Sequence, residues 1–74
     1  MEVMLFGLVA EKAGSTRIAV EASSMAELRA RLEERIEGFG RLSCAIAVDR
    51  RLVHDDMTFT GAEEIAVLPP FAGG

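Results

Sequence analysis

Apolar residues along this chain first alternate, then recur at helical spacing, then alternate again. Val3 to Val9 is a short apolar run that predicts a strand buried on at least one face. Alternation sends Val3 and Leu5 to one side, and Met4 and Phe6 to the other. Glu11-Lys12-Ala13-Gly14-Ser15 reads as a polar turn, and Arg17 to Glu21 alternates again, as a hairpin partner would. Ser24-Met25-Ala26-Glu27 has the pattern of a capping box, and Met25, Leu28, Leu32, Ile36 and Phe39 follow near helical spacing. Glu27, Arg29, Arg31, Glu33, Glu34 and Arg35 fill the solvated remainder, with Gly38 and Gly40 as terminators.

Ser43 to Asp49 alternates as a third strand. Asp49-Arg50-Arg51 forms a tight turn into a short edge strand at Leu52-Val53, and His54 to Ala62 is polar and irregular. Glu64 to Leu68 is the last strand, ended by Pro69, which has no amide to donate. The expected order is β-β-α-β-β-β, and one helix crossing one face of a mixed sheet buries these elements most simply. The class is α+β, with Val3, Leu5, Ile65 and Val67 facing the helix. The same parity puts Met4, Phe6, Ala66 and Leu68 on the open face, which Leu52 can join; large apolar residues there form an interface candidate. A register slip of one residue exchanges the two faces.

The end of the chain adds what periodicity does not. In Leu68-Pro69-Pro70-Phe71-Ala72-Gly73-Gly74, the prolines fix φ and bias their neighbours to extended conformations. Beyond them the side chains shrink to two glycines, the narrowest peptide available and the one best able to approach another backbone. At its tip sits a carboxylate, inert until converted to a mixed anhydride with AMP and then open to sulfur or nitrogen. The chain has no P-loop or dinucleotide fingerprint, so activation falls to a partner. Ordering the residues after Pro70 costs that partner roughly 4–8 kcal/mol, at about 1–2 kcal/mol each. The alternative is an idle stub that happens to end in glycine.

Composition narrows the setting. Seventy-four residues make one small domain, burying about 60–65% of its unfolded surface. With four Phe and no Trp or Tyr, the core is mainly aliphatic. The net charge of −4 argues against nucleic acid and anionic membrane, and no apolar stretch nears the roughly 18 residues of a span. No leader pattern opens the chain, and its single cysteine suits the reducing cytoplasm. Cys44 has the inward parity of core filler. His54-Asp55-Asp56 cannot easily converge on one ion, so no metal site is expected. Ser43 lacks a readable catalytic partner, and Arg50-Arg51 suits a solvated turn as well as a docking patch.

These residues resemble the ubiquitin-like sulfur carriers of the β-grasp fold, in particular the small-subunit family of molybdopterin synthase. Leu5-Phe6-Gly7 with Ala10-Glu11-Lys12-Ala13-Gly14 looks like the family's opening, Ser24 to Leu28 like its helix start, and Ala47-Val48-Asp49 like its Ala-Val-Asn. Glu63 to Gly74 resembles its closing run, Asp-Glu-Val-Ala-x-x-Pro-Pro-x-Ser/Ala-Gly-Gly. Asp49 for Asn, and Gly61-Ala62 for Asp-Gly, are departures within turns.

The resemblance implies a β-grasp domain over residues 1–68 and an extended tail over residues 69–74. It implies that a ubiquitin-activating-type adenylating enzyme uses ATP to adenylate Gly74, and that a sulfur donor protein converts it to a thiocarboxylate. The tail then enters the large subunit of molybdopterin synthase, in a heterotetramer, and gives sulfur to cyclic pyranopterin monophosphate. Gly73 permits insertion; Phe6, Leu52, Leu68, Pro69, Pro70, Phe71 and Ala72 contact the partner; the chain itself binds no cofactor. A carrier for cysteine or thiazole synthesis and a ubiquitin-like protein modifier remain alternatives, although the Pro-Pro pair is unlike thiazole carriers.

Overall fold

The computed structural model describes residues 1–69; Pro70, Phe71, Ala72, Gly73 and Gly74, and the expectations placed on them, lie outside the described residues. Five strands form one mixed sheet: β1 (Glu2–Leu5), β2 (Arg17–Ala19), β3 (Ala45–Val48), β4 (Arg51–Val53) and β5 (Ile65–Leu68). Their spatial order is β2-β1-β5-β3-β4. The central β1–β5 pair is parallel, and every other pair is antiparallel.

Helix α2 (Met25–Arg35) starts at Ser24, whose hydroxyl accepts the Glu27 amide at 3.2 Å. Glu27 reaches back one residue beyond the usual box, its Oε1 accepting the Ser23 amide at 2.8 Å. Met25, Leu28 and Leu32 are buried in one core with Val3, Leu5, Ile46, Val48, Ile65 and Val67. The inward parity read from β1 and β5 is the observed one. Among the described residues no polar or charged side chain is buried.

Four expectations need correction. The strand over Val3–Val9 stops at Leu5, and the turn at residues 11–15 gives way to helix α1 (Gly7–Ala13). Gly7, at φ +57°, breaks the extended run. Ala10, Glu11, Lys12 and Ala13 are good helix formers, and Gly14 closes the helix at φ +75°, its amide donating to the Ala10 carbonyl at 2.9 Å. β1 and β2 thus pair antiparallel, as expected of a hairpin, but across a helix rather than a tight turn.

The main helix, expected to run to Phe39, ends at Arg35. Ile36 turns extended at φ −122° and ψ 109°, and Phe39 opens a 3-10 turn (Phe39–Arg41) after Gly38 at φ +76°. Both Ile36 and Phe39 remain in the core, so the apolar spacing was sound although the helix did not carry it all. The third strand is shorter than Ser43–Asp49 because both end residues have φ +50°. Asp49 and Arg50, both left-handed, form the two-residue hairpin turn between β3 and β4.

The fourth correction concerns residues 54–62, expected to be a polar loop. Phe59 is buried, and this segment is bonded to the start of α2: the Met25 amide donates to Met57 at 2.8 Å, and Phe59 to Ser23 at 2.9 Å. Asp56 Oδ1 accepts the Ala26 and Met57 amides, both at 3.0 Å. A helix N-terminus leaves such donors without intrahelical partners, and the loop supplies them.

Candidate functional site

The open face of the sheet carries one cross-strand row of Met4, Ala66, Ala47 and Leu52, with Ala45 opposite Leu68 in the next. Three alanines leave the middle low, and Met4, Leu68 and Leu52 stand around it. β5 is central because its inner residues, Ile65 and Val67, are fully buried. It therefore delivers Leu68 and Pro69, both half-buried, at one end of the sheet rather than at a loose edge.

The Phe6 amide donates to the Val67 carbonyl at 3.2 Å, continuing the pairing past Leu5 and Val67. Gly7 then turns the chain beside Pro69. Phe6, Leu8 and Leu52 are the large apolar residues left open among the described ones, at 44%, 48% and 52% exposure. The structure thus brings Phe6, Leu68 and Pro69 together at the root of the terminal segment, with Leu52 at the far end of the neighbouring row.

Leu8 was not among the residues assigned to the open face, although alternation through Val3–Val9 gives it the parity of Met4 and Phe6. The signal was the Val9 and Ala13 pair at helical spacing, ending at Gly14: with Val9 turned inward, Leu8 faces out.

Other candidate chemistry has local explanations. Burial raises the Cys44 thiol above its usual pKa, with the Arg29 charge acting weakly the other way, so the thiolate is disfavoured. Arg50 sits 3.6 Å from Glu64 in an exposed ion pair of small energetic worth. Among the described residues, no group of three or more His, Cys, Asp or Glu is arranged to hold a metal, and Asp56 is committed to α2. Clefts lie beside the 3-10 turn, lined by Glu33, Glu37, Phe39 and Arg41, away from the tail root.

A five-stranded mixed sheet with a parallel central pair and one helix packed across one face is the ubiquitin-like β-grasp. Small archaeal modifier protein 1 from Methanosarcina acetivorans has the same fold at TM-score 0.84 and 17% identity, covering 99% of this chain and 94% of that one. So does SAMP1 from Haloferax volcanii, at TM-score 0.75, 21% identity and coverage of 99% and 97%. The chain belongs to the ThiS family, whose model matches residues 3–74.

It is also similar to a chain in the complex of subunits 1 and 2 of the molybdopterin-converting factor from Helicobacter pylori 26695. That likeness has 32% identity and TM-score 0.73, over 99% of this chain and 96% of that one. No curated protein sequence matches the chain.

Proposed function

We propose that this chain is the cytoplasmic sulfur-carrier subunit of a molybdopterin synthase, with the Gly74 carboxylate as its working group. An adenylating enzyme joins that carboxylate to the α-phosphate of ATP and releases pyrophosphate. A sulfur donor protein delivers sulfide-level sulfur, which attacks the acyl carbon, displaces AMP and leaves a thiocarboxylate with no change of oxidation state. ATP is bound by the activating partner, and the carrier itself holds no cofactor.

The large subunit receives Phe6, Leu52, Leu68 and Pro69 on its surface and Pro70, Phe71, Ala72 and Gly73 in its entrance. Sulfur passes to cyclic pyranopterin monophosphate, and Gly74 returns as a carboxylate. The carrier contributes a reactive tail to a catalytic pocket that its partner builds.

The observation that carries this reading is the 32% identity, over nearly the full chain, to a protein solved in a complex of both factor subunits. The half-exposed Phe6 beside Leu68 and Pro69 at the tail root supports it, with Leu52 open at the far end of the neighbouring row, since apolar surface next to a reactive terminus suits a docking partner.

Deleting Gly73 and Gly74 tests the proposal. Cofactor synthesis in the native host should stop while circular dichroism and thermal unfolding stay unchanged; continued synthesis rejects it. Intact mass of the carrier from that host should show one oxygen exchanged for sulfur. A ladder of larger covalent adducts would assign the chain to protein modification instead.

A further inference from the structure

We propose that Gly7 is a positioning residue: it forms a notch that seats the Pro69 ring and sets the direction in which the chain leaves β5. A Cβ placed on Gly7 would lie 2.9 Å from Pro69 Cγ, and 3.6 Å from both Cβ and Cδ of the same ring. Real Cβ atoms essentially never come as close as the first of these distances. Gly7 also has φ +57°, so the backbone that forms the notch is itself one that side chains disfavour.

Both walls are fixed. Val9, two residues on, is fully buried and anchors α1, while the Phe6 amide bonded to Val67 holds the start of the notch against β5. Pro69 adds a rigid φ of its own. Ring and notch together make a rigid joint where a single bond rotation would otherwise re-aim everything downstream.

The inference rests on the tail-delivery reading for its consequence, but not for its geometry. Gly14 provides the control, because it is left-handed at φ +75° with nothing within 4 Å of an added Cβ. Asparagine tolerates that backbone better than other residues, so Gly7→Asn and Gly14→Asn both place a side chain at a positive φ and differ in the ring contact.

By NMR, wild type and Gly14→Asn should show proton Overhauser contacts between residue 7 and the Pro69 ring. Gly7→Asn should lose them while keeping those between Leu5 and Val67. With the adenylating enzyme from the same organism and MgATP, Gly7→Asn should lower kcat about ten- to hundredfold while KM moves less than about twofold, because the reacting end is misplaced while the docking face is intact.

Pro69→Ala, which leaves residue 7 untouched, should lower kcat in the same sense, and serves if Gly7→Asn does not fold. Retained ring contacts in Gly7→Asn, or kcat equal to that of Gly14→Asn, overturns the proposal, as does an unaffected Pro69→Ala. A wild-type chain that is never adenylated overturns the proposed function instead, and the Overhauser contacts then decide the notch alone.

Discussion

β5 places Ile65 and Val67 under helix α2, and Ala66 and Leu68 on the opposite face. The inner pair has no exposure, and each fully buried aliphatic side chain contributes about 1.5–3 kcal/mol to holding the fold. The large apolar residues left open, Phe6, Leu8 and Leu52, are about half exposed, and there water keeps much of that contribution from being realised. One backbone thus supports a face that stabilises the molecule and a face that leaves apolar surface available. If the two are separable, substitutions on the inner face should change stability and those on the outer face should change partner binding.

Leu32→Ala should give the largest effect, a loss of about 2–5 kcal/mol in urea unfolding, since Leu32 of α2 is fully buried in the core. Large-subunit binding per folded molecule should be unchanged. Phe6→Glu is the reciprocal test: binding should weaken roughly tenfold or more by calorimetry, while stability moves by about 0.5 kcal/mol or less. Unfolding of this variant with binding intact would break the comparison.

Ser24→Ala should lose about 1 kcal/mol by removing the cap of α2 while leaving the outer face alone. The smallest effect belongs to Glu63, whose carboxylate accepts the Thr60 amide at 2.8 Å and the Gly61 amide at 2.9 Å. These bonds, that from Thr60 foremost, hold its pKa below the usual glutamate range. Its contribution is present above the unfolded-state pKa and is lost as pH falls through the lowered folded value. Glu63→Gln should flatten that acid limb in NMR titration of the residue 60–63 turn without altering the sheet.

The faces of β1 and β5 were legible because period-two alternation maps directly onto burial, and the start of α2 because Ser24 and Glu27 have the spacing a cap needs. α1 was hidden by Phe6 and Leu8. Their apolar character suits a strand with Phe6 on its open side, and only the structure shows that Gly7 ends that strand and that Leu8 stands on a helix. Phe59 was hidden because nothing local says that a polar loop folds onto a helix thirty-odd residues before it. At the site, Phe6, Leu52, Leu68 and Pro69 could be placed by parity and chain order. The contact between Gly7 and Pro69 could not, since it joins residues far apart in sequence and depends on a left-handed backbone at one of them.

The last strand in sequence is the middle strand in space, and that governs how the molecule is assembled. Without Ile65 to Leu68, the remaining strands are two separate ribbons, β2–β1 and β3–β4, with no backbone hydrogen bonds between them. Closure requires the most distant contact in the sheet, the kind that slows folding because its loop entropy precedes any gain. The sheet therefore closes only when the strand made last slides between two ribbons made before it, so its assembly waits on the end of the fold rather than its beginning.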